Sequence, residues 1–288
     1  MSSAPSRPLP PAGARNLVVV ILDSLRDDAW RAAPPASLAD LGTAERRFSY
    51  ATWTAPSHLN LLMGLLPHTS PPQVYASDYY RLDFLRYRER LGLPGLEYRA
   101  MLPGLFLPSL LRSLGYLTHA RVSMPVLNPF TVLNRDFDSY RLMPSHHDLG
   151  AIVDEVEFSS ERPSFWLINT GETHYPYTWP GGPDVTELPH ISGVHGVVKG
   201  LDALRAGSEA AGEFFTPAAL AGLRERQVAA LEALDGALGR LREKLPAGTW
   251  LTVTSDHGEL FGEDGYFGHG PVMHEKVLEV PFLEGRAA

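Results

Sequence analysis

Leu17-Val18-Val19-Val20-Ile21-Leu22-Asp23-Ser24 is the stretch that decides the fold. A continuous apolar, β-branched run reads as a strand buried on both faces, the habit of parallel sheets. Further strands are read at Tyr116–Val122, Phe137–Leu142, Ser164–Asn169 and Thr249–Thr254, with a last short one at Val280–Leu283. Helices fall between them. Leu59–Leu66 reads as the first turns of a buried helix, and Pro108–Leu114 as a short one closed by Gly115. Thr216-Pro217 is a helix start, with Thr as N-cap and Pro at the first helical position. Leu220, Leu223, Val228, Leu231, Leu234, Leu238, Leu241 and Leu245 then form one long amphipathic helix, ending before Pro246-Ala247-Gly248. Strands alternating with helices predict an α/β fold, a mostly parallel doubly wound sheet with helices on both faces. Such sheets bind ligands beyond the carboxyl ends of their strands.

Working outward, residues 1–14 are Pro-rich and read as a disordered lead-in, leaving 15–288 as a single domain. Segments 67–104 and 178–211 lack periodicity and read as long loops beside the site. The first contains Tyr75, Tyr79, Tyr80 and Tyr87, read as packing that loop or lining a pocket, and Arg81, Arg86, Arg88 and Arg90, interleaved with acids as a solvated face. The 288 residues are 44% hydrophobic, enough for a large core. Lys and Arg number 25 against 33 Asp and Glu, a net charge of −8, which argues against nucleic acid as a partner. The absence of Cys excludes disulfides, thiolate nucleophiles and Cys-ligated zinc. No apolar signal region is evident, and Leu17–Leu22 is far short of the roughly 20 residues of a membrane span. A soluble, cytoplasmic protein is expected.

The polar residues at strand ends carry the chemistry. Asp23-Ser24 follows the first strand, Glu172-Thr173-His174 follows the strand at 164–169, and Ser255-Asp256-His257-Gly258-Glu259 follows the strand at 249–254. A lone Asp there is commonly a helix N-cap, but three coincident strand ends with an adjacent Asp-His pair favour a metal site. Oxygen with imidazole ligands suits Zn²⁺ or Mn²⁺, and carboxylate-rich sites suit Mg²⁺ or Ca²⁺. Thr54-Ala55-Pro56-Ser57-His58 precedes the helix at 59–66. Its hydroxyl is either a cap or a nucleophile, and spacing alone leaves both open. His269 lies between Gly268 and Gly270.

These residues resemble a family. Asn16–Arg26 (NLVVVILDSLR) resembles the first strand of sulfatase-like members of the alkaline phosphatase superfamily. Thr54–Gly64 (TAPSHLNLLMG) resembles their signature Cys/Ser-x-Pro-Ser-Arg-x-x-x-x-Thr-Gly in the same spacing. Trp166–Tyr177 (WLINTGETHYPY) resembles their His-x-Pro-Tyr segment, and Ala233–Leu241, with Asp235, their long helix. Thr254–Pro281 (TSDHGELFGEDGYFGHGPVMHEKVLEVP) is the most specific match.

The resemblance implies that Asp23, Thr54, Asp256 and His257 bind a divalent metal, with Thr54 also the nucleophile. It implies that His174 and His269 bind the transferred group or, with Glu172, hold a second ion. The departures are informative. Thr54 cannot be converted to formylglycine, and Thr is the nucleophile of the family's phosphodiesterases, pyrophosphatases and phosphoethanolamine transferases. His58 stands where the signature has Arg, Met63 where it has Thr, and His274 where Tyr is usual. Against the family a minimal version without the usual C-terminal subdomain is expected, its pocket completed by the loops 67–104 and 178–211, by a homo-oligomer partner, or not at all. The expected activity is that of a metal-dependent hydrolase or transferase acting on a small-molecule phosphate ester, a diester or phosphonate ester. The alternatives are a formylglycine-independent sulfate-ester hydrolase and a non-catalytic sulfatase-like binding protein.

Overall fold

The computed structural model describes residues 7–64, 106–186, 188, 216–270 and 273–288. Its centre is β1 (Leu17–Leu22), flanked by β5 (Ser164–Thr170) and β6 (Trp250–Thr254), both parallel to it. Beyond β5 lie β3 (Leu117–Val122) and β4 (Ser139–Leu142), again parallel. Beyond β6 lie β9 (Glu279–Arg286), antiparallel to its neighbours, and β2 (Glu45–Phe48). The order is β2-β9-β6-β1-β5-β3-β4 in one seven-stranded sheet. A two-stranded ribbon, β7 (Leu260–Phe261) with β8 (Phe267–Gly268), stands apart.

Alternation along β1 divides the core. Val18, Val20 and Leu22 pack with Trp166, Ile168, Leu251 and Val253 on one face. There they meet α1 (Asp27–Ala32), α4 (Leu149–Asp154) and α5 (Pro217–Lys244) through Trp30, Ile152, Leu231 and Leu238. Ile21 packs with Phe165, Leu167 and Ala120 on the other face, beneath α2 (Thr54–Met63) and α3 (Leu107–Ser113). The mostly parallel, two-faced sheet is therefore as the pattern predicted.

Four details depart from the expectation. The helix expected at 59–66 begins at Thr54 itself, so Thr54 is its first residue. On α5 the buried stripe carries Gln227, while Val228 is only partly covered. The last strand is longer than Val280–Leu283 and antiparallel. Finally, Glu45–Phe48 forms a strand although every residue in it is exposed, because β9 offers it a pairing edge. Thr216 caps α5 as expected, accepting from the Ala219 N–H at 3.2 Å. Asp235 pins α5 to the turn at 36–41 by accepting from the Ser37 N–H at 2.8 Å. From the lead-in at 1–14, Arg7 donates to the Tyr116 carbonyl at 2.9 Å, and Arg162 donates to the Pro8 carbonyl at 2.7 Å. The segment 67–104 with its tyrosine and arginine clusters, and most of 178–211, lie outside the described residues.

Candidate metal centre and active site

The register aligns Leu22 with Thr170 and Ile21 with Thr254, so β1, β5 and β6 stop at one level. Asp23, the 171–174 turn and Ser255–Gly258 therefore share one corner. Asp23, Asp256 and His257 are buried there with their ligand atoms within 4.8 Å of one another. His257 Nε2 lies 3.8 Å from Asp23 Oδ1 and 3.4 Å from Asp256 Oδ2.

Thr54 joins this group. Its Oγ1 donates to Asp23 Oδ1 at 3.4 Å and lies 3.3 Å from His257 Nε2. The N-cap of α2 is Trp53, and no side chain caps the helix. The hydroxyl is thus turned into the corner and does not cap. The N-cap alternative fails for Asp23 as well: α1 starts from Arg26, without a side-chain cap. The loop before Thr54 is tied down by the Ser49 N–H on the Leu278 carbonyl at 2.7 Å, and by the Ser49 and Thr52 hydroxyls on the Asp256 and Gly270 carbonyls.

Four buried imidazoles surround the corner, each bonded through the same ring nitrogen. Nδ1 faces an acceptor in each: the Thr54 carbonyl for His58 (2.9 Å), Tyr175 for His174 (2.8 Å), Gly258 for His257 (2.9 Å) and Glu259 Oε1 for His269 (3.0 Å). Nδ1 therefore carries a proton in each, the arrangement in which outer partners hold metal-binding histidines and leave Nε2 for the metal. The His257 and His269 rings lie 4.2 Å apart, and those of His174 and His269 5.1 Å apart. His58 Nδ1 is also 3.6 Å from Asp256 Oδ2.

Among the described residues no Lys or Arg pairs with the carboxylates of this corner. Burial pushes the Asp256 carboxyl up to about 7, against the Ser24 and His257 N–H groups that donate to it. Burial, then the neighbouring Asp256, raises Asp23. Burial, then the charge of His269, pulls the His257 imidazole down to about 3. Asp256 Oδ2, His58 Nε2 and His174 Nε2 are buried without a hydrogen-bond partner. Two carboxylates, a hydroxyl and an imidazole nitrogen around one point form a mixed oxygen–nitrogen donor set that fits a divalent cation. A cation would complete the orphaned carboxylate oxygen and lower the energy of both buried anions.

Glu172 is placed elsewhere. Its Oε1 accepts from the Leu149 N–H at 2.6 Å and its Oε2 from the Thr170 hydroxyl, so it holds the start of α4 and is no member of the Asp23–Asp256–His257 group. Burial pushes it up to about 7. His274 caps α6 (Glu275–Leu278), accepting from the Lys276 N–H at 3.0 Å.

Several supporting residues escaped the sequence reading. Asn169 Nδ2 donates to Asp23 Oδ2 at 3.0 Å while its Oδ1 accepts from the N–H groups of Ser123 and Met124. Gln227 Nε2 donates to the carbonyls of Ser24 and Thr173, both at 3.0 Å, joining two ligand-bearing turns to α5. Its place in the Leu223–Leu231 stripe was a readable signal: a polar residue in apolar phase. His146, beside His147 and electrostatically coupled to His174, accepts the Gly171 N–H on its carbonyl at 2.8 Å.

Solved structures share this architecture. The soluble domain of lipooligosaccharide phosphoethanolamine transferase A from Neisseria meningitidis is 15% identical, covers 96% of this chain and 78% of its own, and superposes with a TM-score of 0.56. The C-terminal periplasmic domain of EcEptC from Escherichia coli, in complex with Zn, is 15% identical over 95% of this chain and 73% of its own, with a TM-score of 0.54. The putative sulfatase yidJ from Bacteroides fragilis is 17% identical over 94% and 68%, with a TM-score of 0.52. The fold is the sulfatase-like fold of the alkaline phosphatase superfamily. No family profile and no curated protein matches the sequence. The expectation of a cytoplasmic protein is corrected by this comparison, because the EcEptC structures that share the alkaline-phosphatase-like fold are periplasmic domains. No helix among the described residues is long and apolar enough to cross a membrane.

Proposed function

We propose that this chain is a metal-dependent enzyme of phosphoric-ester chemistry, a hydrolase or transferase whose nucleophile is Thr54. The observation that carries the reading is the Thr54 hydroxyl: buried at the start of α2, it is aimed at Asp23 and His257. Asp23, Asp256, His257 and Thr54 would hold the ion, Zn²⁺ or Mn²⁺ by donor chemistry. A divalent ion bound there supplies charge to ionise a hydroxyl and to polarise the ester oxygen.

The chain's own groups do the rest. Thr54 Oγ1 attacks phosphorus in line and the alcohol leaves, giving a phosphothreonine that water or a second alcohol resolves. The positive end of the α2 dipole favours the anion gathered at its first residue. His174 and His269, whose rings continue the row begun by His257, hold the oxygens of the transferred group. The orientation of both is fixed by their Nδ1 bonds. Likeness to phosphoethanolamine transferases supports a phosphodiester substrate, and the Thr in place of a formylglycine precursor favours phosphate over sulfate.

The test is turnover of bis-p-nitrophenyl phosphate by metal-stripped protein refilled with Mn²⁺ or Zn²⁺, beside Thr54→Ala and beside p-nitrophenyl sulfate. Metal-dependent release that Thr54→Ala abolishes is expected. Release that survives Thr54→Ala, or release from the sulfate alone, overturns the assignment.

A further inference from the structure

We infer that Glu259 is a positioning residue for His269, itself locked in place by Tyr177. The inference rests on the reading above, in which His269 faces the transferred group. Glu259 is 1% exposed, at the entry to β7. Its Oε1 accepts from His269 Nδ1–H at 3.0 Å, and its Oε2 accepts from the Tyr177 hydroxyl. Tyr177 is fully buried on the turn after β5, among Phe261, Phe267 and Leu220. A carboxylate in such surroundings is costly unless each oxygen has a partner. Here each has one, and one of those partners is an active-site imidazole.

The contrast with the other three histidines makes the inference specific. His58, His174 and His257 direct Nδ1 at neutral backbone carbonyls, and His269 directs it at a carboxyl side chain. A backbone carbonyl fixes a ring through the fold of its own loop. His269 lies between two glycines whose left-handed backbone only glycine adopts easily: Gly268 has φ 87° and Gly270 φ 124°. A side chain at the entry to β7 supplies the acceptor for its Nδ1. The carboxyl sets which nitrogen carries the proton, aims Nε2, and raises its donor strength. Tyr177 links this hydrogen-bonded pair to the turn that also carries His174. The two imidazoles that face the transferred group are thereby held through one buried Tyr–Glu pair.

The experiment compares wild type, Glu259→Gln, Glu259→Ala and Tyr177→Phe. Long-range ¹H–¹⁵N spectra of metal-free protein labelled at histidine report the tautomer of each ring. In wild type His269 should show the Nδ1–H form, the less common one for free neutral imidazole. Glu259→Gln, whose amide oxygen still accepts from Nδ1, should keep that form, whereas Glu259→Ala should lose it. On bis-p-nitrophenyl phosphate with metal restored, kcat should fall about 10–100-fold in Glu259→Gln and further in Glu259→Ala, the usual scale for partners of ligand histidines. Tyr177→Phe should broaden the His269 signals and lower kcat by less. A folded Glu259→Ala with the wild-type His269 tautomer and wild-type kcat overturns the inference, as does a wild-type His269 protonated at Nε2. If Glu259→Ala does not fold, an unchanged kcat in both Glu259→Gln and Tyr177→Phe overturns it. The spectra need no turnover, so a wild type without activity would count against the proposed function and leave this inference decided by its tautomer.

Discussion

Two clusters of buried charge lie within a few residues of each other at the end of β1, and they are built on opposite logic. Arg26 is 3% exposed, and its guanidinium is satisfied by Asp28 at 2.8 and 2.7 Å, by Glu263 at 2.5 Å and by the Glu259 carbonyl at 3.2 Å. Burial pushes Asp28 and Glu263 up, but the bonds and charge of Arg26 outweigh it and hold both carboxyls below their usual range. In the corner of Asp23 and Asp256 the described residues offer no such cation, and burial drives the carboxyls up, Asp256 to about 7. The same residue types, in one neighbourhood, are shifted in opposite directions. A charge cluster whose polar atoms are all paired holds the fold together. One that leaves Asp256 Oδ2 and His174 Nε2 without a hydrogen bond has ligand atoms to spare for a bound group.

The largest effect that would break this contrast concerns turnover. Thr54→Ala removes the nucleophile and should lower kcat at least about 10³-fold, the scale seen when a nucleophile is deleted. Far-UV circular dichroism should be unchanged, because Thr54 caps nothing. A drop of less than tenfold on bis-p-nitrophenyl phosphate would place the corner outside the chemistry.

Next is stability. Arg26→Met leaves Glu263 without its cation and Asp28 with only the exposed Arg224 at 3.2 Å. The cost expected in urea unfolding lies toward the lower end of roughly 3–5 kcal/mol, since both carboxylates retain some solvent. Asp256→Asn should do the reverse in the metal-free protein, leaving the midpoint unchanged or higher, because it removes a buried charge that no cation among the described residues balances. Equal destabilisation by both variants would erase the distinction between the clusters.

Much of this was legible in the sequence, and the reasons are local. β1 declares itself because every residue from Leu17 to Leu22 is apolar and packs against one face or the other. Asp23, Asp256 and His257 declare themselves because buried strands end there. The start of α2 was read too late, since Pro56 looks like a break although it sits in the first turn, where Pro costs nothing. β2 has no signal of its own, being exposed along its length and held by β9. Glu172 carries the right chemistry in the right stretch, yet it folds back onto α4, a choice made by the Leu149 N–H and not by its neighbours in sequence. Asn169, Tyr177 and Glu259 acquire their roles only when three separate turns meet.

A smaller effect sharpens the contrast from the metal side. Zn²⁺ or Mn²⁺ at 100 times its dissociation constant should stabilise the native state by about 2.7 kcal/mol. For a chain of this size, that is a rise of several degrees in Tm. Arg26→Met should melt lower yet keep the full rise, and Asp256→Asn should lose it. A rise that persists in Asp256→Asn would move the ion away from this corner.

The smallest effect is the acid limb of stability, and its sign separates the clusters. Asp28 and Glu263 have depressed values in the folded state. They bind fewer protons folded than unfolded as pH falls through the normal carboxylate range, near 4. The stability they contribute is therefore complete above that range and drains away as pH drops through their folded values. Arg26→Met removes the main source of the depression, so the difference in unfolding free energy between wild type and Arg26→Met should be constant from pH 8 to 5 and shrink below about 4. Urea midpoints across that span, taken without metal, provide the measurement. The raised carboxyl of Asp256 is common to both proteins and cancels in the difference. A gap that persists undiminished to pH 3 would mean that Arg26 acts through packing of its long side chain, and the paired cluster would then owe its worth to shape more than to charge.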